Sequence, residues 1–238
     1  MKNILTGFML LAFLYINEAI EAQVWKKIEK AVPVSTKDIS NEDAIEGIKE
    51  ALIQGTSKSV DIVSLKDGYF GNPEIKIPFP PEAKSVEEKL RFIGLGSEVD
   101  KAVLSINRAA EDAANEVKPI FIAAIKNMSI SDAIDIVNGR EHAATKYLQR
   151  KTTNDITIKI KPLIENSLEK VDATKYWDDI INTYNNIPFV TKMNPDLSEY
   201  VTEMAIEGLF VMIAKEEEKI RKDPLARTTE ILELVFGD

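Results

Sequence analysis

A run of three glutamates near the C-terminus, Glu216 to Glu218, is the first group of side chains that could do chemistry. Glu217 and Arg221 are four residues apart, as are Glu218 and Lys222, and this spacing forms ion pairs along one helix face. Three carboxylates could also gather a divalent cation, but a hard cation needs oxygen ligands from several directions, which one helix turn does not supply. We therefore interpret the run as a solvated helix end held by surface ion pairs.

A second candidate lies just after this run, where Arg227, Thr228 and Thr229 follow Pro224 and open the last predicted helix. Free backbone amides and hydroxyl groups at a helix start can hold an anion, and Arg227 would clamp it. The alternative is an ordinary helix cap in which Arg227 pairs with a glutamate of the acidic run. We favour the cap, because caps of this composition are common, and keep anion binding as the competing hypothesis.

A third candidate is the group Asn107, Arg108 and Glu111, which lies beside a stripe of alanines. If that stripe is buried, Arg108 lies close to the core and must be paired. Arg108 could pair with Glu111 or Asp112 on the helix surface. The three residues could instead form a buried polar network that ties this helix to the C-terminal segment. The rotation of the helix decides between the two, so both alternatives stay open.

Other kinds of site are excluded by residue types that the sequence lacks. The chain has no cysteine and one histidine, His142, which excludes disulfides, thiolate zinc sites and multi-histidine metal sites. Neither a Gly-x-Ser-x-Gly nucleophile elbow nor a phosphate-binding glycine loop occurs. We interpret His142 as a partly exposed residue at a helix start, and we predict no catalytic residue, metal or cofactor.

The composition is that of an ordinary soluble globular protein. The 238 residues are 45% hydrophobic and 29% charged, with a net charge of −9. An acidic surface disfavours nucleic acid and anionic lipid as partners. Without disulfides the fold must depend on an apolar core, which a chain of this length can build.

The elements that position these side chains are predicted to be helices. Apolar residues recur at helical spacing through most of the chain, and one seam alternates steps of four and three residues. The seam consists of Val99, Val103, Ile106, Ala110, Ala113 and Val117. Pro119 then kinks or restarts the helix. The sequence predicts an all-α fold, a single multi-helix bundle-like domain over residues 41–237.

Further helices are predicted from caps and prolines. Ser131 and Asp132 start a short helix, and residues 142–169 are interpreted as two helices, the second carrying Pro162. Residues 172–186 are predicted to form one more helix. Asp196, a capping residue, opens a long helix that is expected to run to about residue 222.

One segment breaks the helical pattern. In residues 67–84 the apolar side chains of Ile75, Ile77 and Phe79 alternate with polar residues or proline. Alternation with a period of two indicates extended chain, but closely spaced prolines argue against a central strand. We predict an extended, proline-rich strap that lies across the helices.

The first 22 residues have the layout of a secretory signal peptide. Lys2 supplies a positive start, residues 4–16 are mostly apolar, and small residues occur at Ala19 and Ala22. The apolar run is too short to span a bilayer, although an uncleaved anchor is the alternative. We predict cleavage after Ala22, a lead-in segment over residues 23–40, export to the periplasm, and no stable membrane insertion after cleavage.

Several motifs together resemble those of a known family. They are N-P-E-I-K-I-P at residues 72–78, N-R-A-A-E at 107–111, A-T-K-Y-L-Q-R-K-T at 144–152, Y-V-T-E-M-A-I-E-G-L-F at 200–210 and E-E-E-K-I-R-K-D-P-L-A-R-T-T at 216–229. With these motifs the chain resembles the bacterial envelope family catalogued as domain of unknown function 4197, from about Trp25 onward. The resemblance implies an exported, periplasmic, helical domain. The family has no assigned catalytic residues, so it supplies none for this chain.

The main functional prediction is a non-enzymatic module that binds an envelope protein or a small ligand. Its site is expected where the third candidate group meets the C-terminal segment, with the strap as a cover. The predicted site residues are Arg108, Glu111, Glu217, Arg221, Arg227 and Thr228.

Two other functions stay open. An envelope polysaccharide hydrolase or lytic transglycosylase would use Glu111 or Glu203 as a general acid in an apolar pocket. A carrier of hydrophobic ligands would need a large cavity lined by Met204, Leu209 and Met212.

Overall fold

The computed structural model describes residues 41–94, 96–170 and 196–222, together with Trp177, Asn185, Asn186 and Lys192. Every regular element within these residues is helical and none is a strand, which confirms the predicted all-α fold. None of the helices in these ranges combines the length and the apolar character that a membrane span requires.

The helices form one packed group. In chain order they are α1 (Asn41–Ser64), α2 (Lys84–Phe92), α3 (Gly96–Ala114), α4 (Lys118–Lys126), α5 (Ile130–Asn138), α6 (Ala143–Glu169) and α7 (Leu197–Lys222). Short 3-10 turns at Pro81–Ala83 and Asn115–Val117 precede α2 and α4. The long helices α6 and α7 pack most extensively against each other, and α1, α3 and α4 pack around that pair.

The predicted seam is the buried face of α3 and of the 3-10 turn that follows it. All its members except the half-buried Val103 are at most 2% exposed. Its alanines have short side chains, which let the backbones of α3 and α6 approach. Pro119 restarts the chain as α4, as predicted, because a proline in the first turn has no helical hydrogen bond to lose.

The prediction of two helices over residues 142–169 is wrong, because α6 runs unbroken through Pro162. A proline inside a helix costs about 3 kcal/mol through a lost hydrogen bond and a clash. Four buried side chains spaced four residues apart continue across it, namely Ile156, Ile160, Ile164 and Leu168. Their burial against neighbouring helices offsets that local cost.

The strap, residues 67–84, has the predicted extended character without forming a strand. It turns tightly up to Ile75, continues as extended chain and ends in the 3-10 turn before α2. Ile75, Ile77 and Phe79 are buried, whereas Lys76 and Pro78 between them are exposed. The alternation in the sequence therefore predicts correctly which side chains of the strap are buried.

Two helix starts carry side-chain caps. The amide of Glu199 donates to Asp196 Oδ1 at 3.0 Å and confirms the predicted cap of α7. The cap of α5 is Ser129, which forms a capping box with Asp132, so this helix starts slightly before the predicted Ser131.

Several predictions lie outside the described residues. They are the signal peptide at 1–22, the lead-in at 23–40, nearly all of the helix at 172–186, and the last helix with Arg227 and Thr228.

Candidate functional site

Asn107 attaches the strap to α3. Its side chain is fully buried, and its Oδ1 accepts the Ile77 amide at 2.9 Å while its Nδ2 donates to the Ile77 carbonyl at 2.8 Å. An amide side chain carries both a donor and an acceptor, so it can pair with an extended residue as a neighbouring strand would. Asn107 therefore supplies the hydrogen bonds that the strap lacks as a lone extended segment.

Glu111 binds the start of the same strap. It is 3% exposed, and its Oε1 accepts the amides of Tyr69 and Phe70, each at 3.1 Å. Its other oxygen pairs with Arg108, which also binds Asp67 at 2.7 Å. These hydrogen bonds, first to Glu111 and then to Asp67, raise the pKa of Arg108. We call Asn107, Arg108 and Glu111 the strap clamp.

The space beneath the strap is filled. The hydroxyl of Tyr69 donates to the Ala205 carbonyl of α7 at 2.7 Å, and burial followed by the charge of Glu111 raises the pKa of this tyrosine. A Cβ on Gly208 would lie 2.8 Å from Tyr69 and 3.1 Å from Ile75. The strap therefore packs directly on α7 instead of covering a groove.

Glu217 binds the start of α6 from a different helix. Its two oxygens accept the amides of Ala144 and Thr145 at 3.1 and 2.9 Å, and the Thr145 hydroxyl at 2.8 Å. The residue at the usual cap position, His142, has a left-handed backbone and makes no cap bond. Glu217 thus supplies the acceptors that the first amides of α6 require.

Arg221 completes this arrangement on the next turn of α7. It binds Glu217 at 2.9 Å and donates to the carbonyls of Ile136 and Gly139 at 2.8 and 3.4 Å. A cation at the end of α5 and an anion at the start of α6 both complement the helix dipoles. We call Glu217 and Arg221 the helix-end clamp.

The interpretation of the glutamate run as solvated is wrong for two of its three members. Glu216 and Glu217 are only 7% and 8% exposed, because α1 and the start of α6 pack against this end of α7. Backbone amides and cations compensate for their burial. The predicted pairs Glu217–Arg221 and Glu218–Lys222 are both present, and only the second lies at the surface.

Glu216 lies at the edge of a small pocket between α1, α6 and α7. Its carboxylate binds the ammonium groups of Lys58 at 2.5 Å and Lys219 at 3.9 Å. The pocket has a free volume of about 30 Å³, enough for about two water-sized groups. We call it the α7 pocket; its walls are Ala51, Leu52, Gly55, Thr56, Ala144, Leu148, Ile213, Glu216, Glu217 and Ile220.

The predicted site residues do not all meet. Arg108 and Glu111 are together at the strap, and Glu217 and Arg221 are together at the end of α7. The strap contacts α7 at Ala205 through Tyr69 and again at Lys215, which forms an ion pair with Glu74 of the strap. The hydrogen bonds of Glu111 itself go to the amides of Tyr69 and Phe70, so its polar network ties α3 to the strap.

In the described part of the chain, the residues predicted for the two alternative functions do not have the geometry that those functions require. Glu111 is saturated by two amides and an arginine, and Glu203 is exposed, so neither is a buried unpaired acid. Met204, Leu209 and Met212, expected around a carrier cavity, are not among the residues of the α7 pocket. In the ranges that the structure describes, no group of three or more acidic residues or histidines could hold a metal ion.

Sequence reasoning missed Lys58 and the contribution of α1 to the pocket. The local signal in the sequence is a pair of small residues, Ala51 and Gly55, four positions apart on one helix face. Small residues leave space beside a helix, but they do not reveal which distant side chains border it.

A comparison with known protein families gives a match over most of the chain. Residues 38–237 match the family model described as "Protein of unknown function (DUF4197)". No curated protein and no solved structure matches the chain.

Proposed function

This chain belongs to the DUF4197 family of proteins of unknown function, and from that premise we propose that it is an exported, non-catalytic binding module. Its binding site is the α7 pocket. The observation that carries the proposal is Glu216, a buried carboxylate beside an apolar pocket that is held by two largely exposed lysines. A pocket of this kind offers apolar contact and one fixed charge, the usual elements of a ligand site.

The neighbouring ionisable groups support binding in preference to catalysis. A general acid or base needs a proton or a lone pair that is free to exchange with a substrate. Glu217 and Glu111 instead accept backbone amides and pair with arginines, so their oxygens are already engaged by the protein. These carboxylates hold the fold together around the pocket and the strap.

The ligand is an envelope protein or a small molecule that reaches the pocket after export. The proposal of export rests on the layout of residues 1–22 as a signal peptide. A net charge of −9 favours cationic partners over nucleic acid.

The pocket can be tested by filling it. Leu52 is a half-buried residue of its wall, so Leu52→Trp should occupy the free volume while the helices still fold. A matched control is Ile158→Trp, because Ile158 is 67% exposed on α6 and lies ten residues beyond Leu148. In a strain that lacks the gene, we expect the control to restore the wild-type phenotype and Leu52→Trp to fail. Full restoration by a folded Leu52→Trp protein would overturn the proposal for the pocket.

Export has a separate test. Cell fractionation followed by N-terminal sequencing should find the mature protein in the periplasm, beginning at Gln23. Retention in the cytoplasm with residues 1–22 intact would contradict export. It would not affect the proposal for the pocket, which the Leu52→Trp variant tests.

A further inference from the structure

Glu216 and Glu217 are neighbours with different kinds of partner. Glu217 is bound by backbone amides at the start of α6, which cannot leave unless that helix moves. Glu216 is bound by Lys58 and Lys219, whose side chains are 60% and 63% exposed. Exposed lysines exchange partners easily, since such ion pairs gain little and restrict a flexible chain. Glu216 is therefore a buried carboxylate whose counter-ion can be replaced.

The wall next to Glu216 is suited to methylene groups. Leu148 and Ile213 line the pocket on α6 and α7, and Ala51 and Gly55 leave room on the side of α1. A Cβ added at Gly55 would lie 3.3 Å from Cδ1 of Ile220, so this glycine helps to keep the pocket open. The space holds about two methylene groups, so it takes part of an aliphatic chain and no large ring.

We infer that the α7 pocket binds a primary ammonium group on a short aliphatic chain, with the ammonium on Glu216 in place of Lys58. This inference rests on the function proposed above for the pocket. Lys58 already presents the same chemical group to the same oxygen, so the protein contains an internal copy of its ligand. An ammonium is a compact charge with three donors and needs less room than a planar guanidinium.

Two sources carry this chemical group, a free alkylamine and a lysine side chain of a partner protein. The carboxylate and the apolar wall recognise the ammonium and its methylene chain in either case. The sources differ at the far end of the methylene chain, since the lysine brings a peptide backbone to the rim of the pocket.

The inference can be tested by titrating the purified protein with n-butylammonium and, as a matched uncharged compound, 1-butanol. We expect a saturable rise in Tm with the ammonium and none with the alcohol. Lys58→Ala should bind n-butylammonium at least threefold more tightly, because it removes the competing ammonium. Glu216→Gln should bind at least tenfold more weakly, whereas Glu218→Gln, which changes an exposed neighbour, should bind as the wild type does.

A second variant keeps the test decisive if Glu216→Gln fails to fold. Gly55→Ala narrows the pocket without changing any charge, and alanine is favourable inside a helix. We expect it to fold and to bind n-butylammonium several-fold more weakly. Binding unchanged by Gly55→Ala would place the amine elsewhere and overturn the inference.

Other outcomes of the titration also support or overturn the inference. Equal effects of 1-butanol and n-butylammonium on Tm would overturn the inference. Binding of n-butylammonium to Lys58→Ala alone would also overturn it, because Lys58 would then occupy Glu216 permanently in the wild-type protein. Binding of Nα-acetyl-lysine methylamide with the same dependence on Glu216 indicates a partner's lysine. Binding of n-butylammonium alone indicates a free amine, and both results support the ammonium. If no amine binds while Leu52→Trp still abolishes function, the inference fails, whereas the pocket stands and its ligand is of another class.

Discussion

The strap clamp and the helix-end clamp use the same chemistry for different ends. In each, a buried glutamate accepts two consecutive backbone amides and pairs with an arginine three or four residues away on its own helix. At the strap, Tyr69 and Ile75 fill the space beside Gly208. At the end of α7 the packing leaves a pocket with a second carboxylate beside it.

The two regions differ in whether the partners of a buried carboxylate can be exchanged for a ligand. A buried carboxylate is not by itself a sign of catalysis, because amides and arginines can satisfy it completely. What separates the two regions is the exchangeability of the partners around them. Glu111 is bound by two backbone amides as well as by Arg108, whereas Glu216, next to Glu217, is bound by two largely exposed lysines.

The largest expected effect comes from removing either clamp. Glu111→Ala and Glu217→Ala should each lower the free energy of unfolding by about 3–5 kcal/mol, because each leaves two backbone amides without their acceptor and an arginine without one of its partners. Urea denaturation followed by circular dichroism measures this loss. Glu218→Ala, which breaks only a surface pair, should cost less than about 1 kcal/mol.

A large difference between the stability losses of Glu111→Ala and Glu217→Ala would contradict the likeness of the two clamps. A Glu217→Ala protein as stable as Glu218→Ala would mean that the helix-end clamp contributes nothing to folding. The difference from the strap would then be one of stability instead of exchangeability.

A smaller effect should separate the filled region from the open one. Gly208→Ala should cost about 1–3 kcal/mol, because its Cβ would lie 2.8 Å from the ring of Tyr69 and 3.1 Å from Cβ of Ile75. Gly55→Ala should instead gain about 0.5–1 kcal/mol, since it meets only the flexible end of Ile220 and improves helix propensity. Thermal denaturation of both proteins measures the contrast. Equal losses would show that the α7 pocket is as tightly packed as the strap.

Much of the fold could be predicted because its signals are local. The α3 seam, the restart at Pro119 and the cap at Asp196 depend on residues a few positions apart, and all three are observed. The continuity of α6 could not be predicted in the same way. The cost of Pro162 is visible in the sequence, whereas the packing that offsets it comes from helices distant along the chain.

The same limit applies to the site. The pair Glu217–Arg221 follows from helical spacing, but the amides that bury Glu217 belong to Ala144 and Thr145, more than seventy residues away. The two alternatives for Arg108 are both realised in part, as an ion pair with Glu111 and as a network. The network ends on the strap because its partners are backbone groups, which carry no signal in the sequence.

Removal of the Asn107 side chain from the strap clamp should lower stability by a smaller amount. Asn107→Ala should lower the free energy of unfolding by about 1–2 kcal/mol, because it leaves the amide and the carbonyl of Ile77 without their partner. Hydrogen exchange at the Ile77 amide should accelerate while the amides of Ala144 and Thr145 stay protected. The control is Ser105→Ala on the same helix, whose hydroxyl makes only a local bond to Ala102. Equal acceleration at both places would mean that the two regions open as one unit.

The smallest effect near neutral pH concerns the two tyrosines whose hydroxyls join the strap and α7, Tyr69 on the strap and Tyr200 on α7. Burial raises the pKa of both, that of Tyr200 to about 12 from an ordinary value of 10.0. The folded state therefore keeps protons that the unfolded chain releases above pH 10. Stability should be complete below that pH and should fall as the pH rises towards 12. Unfolding free energies measured by urea denaturation between pH 9 and pH 12, with absorbance at 295 nm to follow tyrosinate, would test this sign. Tyr200→Phe should fall less steeply, because phenylalanine keeps the ring and has no proton to lose; a slope equal to that of the wild type would assign the alkaline loss to groups away from Tyr200.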